Sequence, residues 1–161
     1  MVKLKNRTSN PILMPKIELV YWKNRVGGEL ERLVTEAFPY SYSAGPKGEW
    51  QMVIASEDKE VRANEVVSIK IERIEVPERA IIMPCSVMRH ALGFVPALVG
   101  VGKPKLVEDK RVFEEALFHP ISNGFVRRGE LLGVVNVLYA TIERKLAREV
   151  VEKWLSERFR Y

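Results

Sequence analysis

Leu131-Leu-Gly-Val-Val-Asn-Val-Leu-Tyr-Ala140 is apolar at every position except Asn136. A Val-rich run of this length reads as the most buried strand of the molecule. Upstream, Asn123-Gly124 and Gly129 flank a short apolar-basic segment, which describes a chain that turns sharply and re-enters the core. Working outward, the period-two pattern repeats. Trp50, Met52 and Ile54 alternate with Gln51, Val53 and Ala55, and Ser56-Glu-Asp-Lys59 reads as a turn towards Val61 and Ala63. Val67, Ile69 and Ile71 keep the alternation, but Ile74 and Val76 are out of phase, so a β-bulge is predicted near Glu72-Arg73. Ala80-Ile-Ile-Met83 lies between Pro77 and Pro84, Val112 to Phe118 is another short strand, and Pro120-Ile-Ser-Asn-Gly124 is a turn.

Two segments read differently. Leu30, Leu33, Val34, Ala37 and Phe38 fall at helical spacing after Gly27-Gly28, which predicts a short N-terminal helix ended by Pro39. Residues 39–48, with Tyr40 and Tyr42, have loop composition, and Ile17, Leu19 and Tyr21 suit a short strand. At the other end, Ile142, Leu146, Val150, Trp154 and Leu155 form an apolar stripe, with Glu149 and Lys153 paired on the opposite side. The predicted organisation is a basic arm (1–16), a mainly β domain (17–141, core about 45–140) and a C-terminal amphipathic helix (142–161) packed on the domain or on a subunit partner. The expected fold class is mainly β, α+β overall, as a compact barrel or sandwich. The stripe, with Trp154 and Phe159, leads us to expect a homo-oligomer.

The 161 residues carry 26 Lys+Arg against 21 Asp+Glu, a formal net charge of +5. That excess sits entirely in residues 1–25, where Lys3, Lys5, Arg7, Lys16, Lys23 and Arg25 face only Glu18. Nucleic acid is therefore a candidate partner only through the N-terminal arm. No apolar run approaches the roughly 20 residues that span a bilayer, and no signal peptide is visible, so a cytoplasmic protein without membrane contact is expected. Cys85 is the single cysteine and has no internal disulfide partner. One Gln beside abundant Lys, Arg and Glu is a composition enriched in thermophiles.

Met83-Pro-Cys-Ser-Val-Met-Arg-His-Ala-Leu-Gly93 carries the most chemistry. Read locally, a strand ends at Pro84, Ser86 caps a helical turn and Gly93 closes it. Free N–H groups there can hold an anion, and Ser86, Arg89 and His90 are the candidate ligand-binding residues. The competing reading is a capped connection with Arg89 in an ion pair. His90 and His119 lie in no short metal-ligand pattern and no metal site is assigned; a composite of His90, His119 and Glu114 stays open, as does Cys85 acting as nucleophile with either histidine. Gly100-Val-Gly-Lys-Pro104 lacks the spacing and hydroxyl of a phosphate-binding P-loop.

The segment 83–93, Phe118-His-Pro-Ile-Ser-Asn-Gly124 and Arg127-Arg-Gly-Glu-Leu-Leu-Gly-Val-Val135 together resemble the archaeal family catalogued as domain of unknown function 22, over about residues 50–140. More distantly, the order of parts is similar to the β-clip fold of the dUTPase and dCTP deaminase superfamily. Ser86 would match the serine of its phosphate-holding turn, and Gly129-Glu-Leu-Leu-Gly133 its closing strand. Cys85 stands where that superfamily has a phosphate-binding arginine, and its aspartate-bearing stretch and glycine-rich tail have no counterpart here. The resemblance implies a fold without its catalysis. Three functions follow as expectations: a non-catalytic small-ligand, nucleotide or anion-binding domain; a divergent nucleotide-processing enzyme using Glu108, Asp109 or Glu114; or an interaction protein whose arm binds an acidic partner such as RNA. Whether a reaction is catalysed, and with what cofactor, stays open.

Overall fold

The structure, a computed structural model, describes residues 16–36, 41–106 and 109–143. Among these it contains strands and no helix: β1 (Lys16–Trp22), β2 (Leu30–Glu36), β3 (Ser41–Ile54), β4 (Lys59–Val61), β5 (Val67–Val76), β6 (Ala80–Arg89), β7 (Gly93–Val99), β8 (Arg111–Pro120), β9 (Gly124–Val126) and β10 (Leu131–Glu143). They form four antiparallel sheets, β1–β2, β3–β10–β6, β4–β9 and β5–β8–β7, none of which closes on itself. The mainly β class is observed; a closed barrel is not.

One core joins three of these sheets, and the β1–β2 hairpin contributes no residue to it. Val53 and Ala55 from β3 and its end, Ile69, Ile71, Ile74 and Val76 from β5, Ala116 and Phe118 from β8, and Leu132, Val135 and Val137 from β10 bury into a single cluster. Val61 of β4 and Val126 of β9 close it at one side. The alternation of apolar side chains explains this assembly, because each strand contributes one face and the hydrophobic term scales with the area removed from water. β10, the strand with which the sequence reading began, is the centre of its sheet, paired to β3 on one side and β6 on the other. The bulge is also found: Lys70 pairs with Glu115 and Ile74 with Phe113, so the extra residues Glu72 and Arg73 turn outward while Ile71 and Ile74 both reach the core.

The predicted N-terminal helix is not formed. Leu30–Glu36 is strand β2, paired along its whole length with β1 from Lys16↔Glu36 to Trp22↔Leu30, and Gly27 takes φ +75° in the connection. A helix of two turns is marginal alone. The hairpin satisfies the same backbone groups with a partner close in sequence, and β-branched Val34 and Thr35 fit a pleated strand. Residues 37–40 lie outside the described residues. The loop expected over 39–48 is also corrected, since Ser41–Gly48 extends β3 along the far half of β10, with an irregularity between Ala44 and Gly48 that absorbs Gly45 and Pro46.

Pro84 does not stop its strand. β6 is the edge strand of its sheet, where a residue without an N–H is tolerated, and the chain continues to Arg89. The helical turn expected after Ser86 is therefore a bulged strand. At the C-terminal end, Ile142 and Glu143 belong to β10, pairing with Tyr42 and Ser41. Residues 144–161 of the expected C-terminal helix, and residues 1–15 of the basic arm, lie outside the described residues. No helix among the described residues is long and apolar enough to cross a membrane.

Candidate ligand cleft at the β6 bulge

Between Pro84↔Val135 and Arg89↔Gly133, β6 advances five residues while β10 advances two. The four residues between, Cys85 to Met88, stand opposite Val134 alone and leave the ladder. In this bulge the sulfur of Cys85 accepts the backbone N–H groups of Met88 and Val87, which holds its thiol below the ordinary cysteine range against a smaller opposing effect of burial. Cys85 is half-buried, whereas Ser86, Val87, Met88 and Arg89 are exposed.

The bulge forms one wall of a cleft of about 370 Å³. Pro84, Cys85, Ser86, Met88 and Arg89 line it from β6, Phe94, Val95 and Pro96 from β7, and Gly133 and Val134 from β10. Arg89 is the single charged residue among them. No carboxylate among the described residues pairs with its guanidinium. This is the composition of small-ligand sites, which combine apolar walls with few polar groups.

Of the three residues singled out in the sequence, Ser86 and Arg89 share this cleft and His90 does not. His90 Nδ1 accepts the backbone N–H of Leu92 at 3.1 Å, and Nε2 lies 3.1 Å from Glu130 Oε2. Both ring nitrogens are thus committed, with the proton on Nε2. The ring also meets Phe118 edge-on at 5.9 Å. His90 anchors the turn that follows β6. His119 is stacked on Phe94 at 5.1 Å, and so braces a cleft wall from outside. Phe94 and Pro96 escaped the sequence reading because nothing in the local pattern marks β7 as facing the bulge.

A larger cleft of about 530 Å³ lies between Tyr21 of β1, the 99–105 segment and Arg73, Arg111 and Phe113 to Glu115. The Gly100–Pro104 stretch borders it, and Gly102 donates its N–H to Trp22 O at 2.8 Å. Basic and acidic groups both line it, with Lys103, Glu114 and Glu115 beside the arginines. Arg73 pairs with Glu75 at 3.1 Å and with Glu114 at 3.2 Å, Lys105 donates to Lys110 O, and Arg111 donates to Ala80 O. Lys110 and then Arg73 hold the Glu75 carboxyl below its ordinary range. Ser68 donates to Glu115 at 2.6 Å. Asp109 accepts the Leu106 N–H at 3.1 Å, and Glu108 lies outside the described residues. Ser86 and Glu114 therefore belong to different clefts. Among the described residues no three His, Cys, Asp or Glu side chains converge as metal ligands, so the composite of His90, His119 and Glu114 is not assembled there.

With this geometry in view, the chain can be placed. Residues 16–124 match the family described as "Domain of unknown function DUF22", and the chain belongs to that family. The match begins with β1 and so takes in the N-terminal hairpin, beyond the 50–140 span of the motif likeness. The chain is 31% identical over 88 residues to "Uncharacterized protein MJ0614" of Methanocaldococcus jannaschii, covering 55% of this chain and 67% of that protein. No solved structure matches it.

Proposed function

We propose that the protein is a non-catalytic binding domain for a small ligand with an apolar body and an anionic group, held in the β6 cleft. The observation that carries this reading is the isolated cation: among the described residues, Arg89 is the single charged side chain lining a mainly apolar cleft. A guanidinium there offers charge-assisted hydrogen bonds to a phosphate or carboxylate. Ser86 supplies a hydroxyl beside it, and Phe94, Pro96 and Met88 offer surface to a flat apolar moiety such as a nucleobase. His90 takes the part of a positioning residue, since it anchors the turn between β6 and β7 rather than lining the cleft. The larger cleft is less suited to an anion because Arg73 there is already paired with Glu75 and Glu114, and the Glu114 and Glu115 carboxylates line it.

Calorimetric unfolding with a panel of nucleotides, nucleosides, aromatic carboxylates and simple anions, each with and without magnesium, tests the reading. A ligand at 100 times its Kd should raise the midpoint by about 5–11 °C. The expected pattern is a shift by compounds with both an aromatic body and an anionic group. A midpoint unmoved by every member would overturn it.

A further inference from the structure

β2 has an open edge. Lys23 donates its N–H to Glu29 O at 2.9 Å, one step beyond the Trp22↔Leu30 pair. In an antiparallel ladder hydrogen-bonded pairs alternate with non-bonded ones, so Tyr21↔Glu31, Leu19↔Leu33 and Ile17↔Thr35 exchange the bonds of the hairpin, and the even-numbered residues turn their backbone groups outward. Gly102 agrees on the β1 side, where its N–H reaches Trp22 O at 2.8 Å. On the β2 side, Leu30, Arg32, Val34 and Glu36 present their N–H and C=O groups to no further strand among the described residues.

Unpaired edges are ordinarily blunted by proline or bulges. The outer strands of both three-stranded sheets follow this rule: β3 carries Pro46 and an irregularity, β6 Pro84 and a bulge, β7 Pro96 and a register shift, and β5 a bulge. β2 has neither, and pairs regularly along its whole length. A two-stranded hairpin is also marginal in water until further strands join it, and this one places no residue in the core.

We propose that β2 pairs antiparallel with β2 of a second copy about a two-fold axis at Val34, joining the two hairpins into one four-stranded sheet. Such an isologous pair sets a strand against itself, so its register is fixed by the residue on the axis. With Val34 there, Val34 exchanges hydrogen bonds with the partner's Val34, Leu33 stands opposite the partner's Thr35, and Arg32 stands opposite the partner's Glu36, twice by symmetry. Arg32, Val34 and Glu36 share one face of the strand and are exposed, Val34 by 62%. Arg32 already holds Glu18 at 3.0 Å, so the pairing extends a row of alternating charge from Glu18 through Arg32 to the partner's Glu36. An axis at Arg32 sets two arginines against each other, and an axis at Leu33 leaves Arg32 opposite a valine and Glu36 opposite a leucine.

A mixture of charge-reversed chains tests this in the full-length protein, by sedimentation velocity over a dilution series. Wild type should dimerise reversibly. Arg32→Glu and Glu36→Arg each set like charges opposite one another at two places, and each should raise the dimer dissociation constant about tenfold. An equimolar mixture of the two restores opposite charges at both places and should recover the wild-type dimer. Val34→Pro removes an outward N–H and no hydrogen bond of the hairpin, so it should abolish the dimer while the chain still unfolds cooperatively. A wild type that stays monomeric at every concentration overturns the proposal, as does a dimer that all three variants leave unchanged, or a mixture that dimerises no better than its components. If a charge variant fails to fold, Val34→Pro decides.

Discussion

His90 Nε2 donates a hydrogen bond to Glu130 Oε2 at 3.1 Å, and the same oxygen accepts the backbone N–H of Arg127 at 3.0 Å. The end of β6 and the turn before β10 are thereby held by one carboxylate. Donation by Arg127, then the His90 contact, holds the Glu130 carboxyl below the ordinary glutamate range. A group whose folded value is depressed contributes stability that is present above its unfolded value and is lost as pH falls through the folded one. Wild type should therefore be more stable than Glu130→Gln at neutral pH. Chemical denaturation of the two proteins should show that advantage shrinking as pH falls below the ordinary glutamate value of about 4.3 and lost once the folded-state carboxyl is protonated. An advantage independent of pH would refute the charge-based account.

Gly93 opens β7 where a Cβ would collide with His119 O and come within 2.9 Å of Pro120 Cα. These are backbone atoms and cannot swing away. Gly93→Ala should cost about 3 kcal/mol, at the upper end for overpacking, and lower the midpoint by roughly 6–12 °C in scanning calorimetry.

Phe118 is fully buried and belongs to the common core, whereas Val34 of the β1–β2 hairpin is 62% exposed. Phe118→Ala should cost about 3–5 kcal/mol and Val34→Ala no more than about 0.5 kcal/mol. Comparable losses in urea unfolding would show that the hairpin is part of the core.

The Cys85 thiol accepts two backbone N–H groups and is partly accessible. Its alkylation by iodoacetamide, followed against pH, should reach half its maximal rate below the value of about 8.5 typical of a free cysteine. A midpoint at or above that value would show that the bulge does not stabilise the thiolate.

What could be read in the sequence follows the range of the interactions involved. β10, the β5 bulge and the 120–124 turn were visible because burial of an entire strand, or a phase slip within one, is written in consecutive residues. The β2 segment was misread because Leu30, Leu33 and Val34 fit a helical stripe equally well, and only the pairing with β1 decides between them. Pro84 misled because a proline's tolerance depends on β6 being an edge strand, which is a property of the sheet. Trp50 and Met52 alternate with Val53 and Ala55, and either set fits a core; the sheet stacking puts the smaller pair inside. Ser86 and Arg89, singled out from their own neighbourhood in the sequence, line one cleft. The His90–Glu130 contact spans 40 residues, and Phe94 enters the cleft through the β7 pairing, so neither leaves a local trace.

Binding through Arg89 is the central claim, and it is tested most directly by titrating wild type and Arg89→Ala calorimetrically with the panel compound that most raises the wild-type midpoint. Loss of one charge-assisted contact should weaken binding by about 1.5–3 kcal/mol, roughly 10- to 150-fold, with the unfolding temperature of the unliganded variant essentially unchanged because Arg89 is exposed. Equal affinity of the two proteins for that compound would contradict the account and remove the β6 cleft as the binding site.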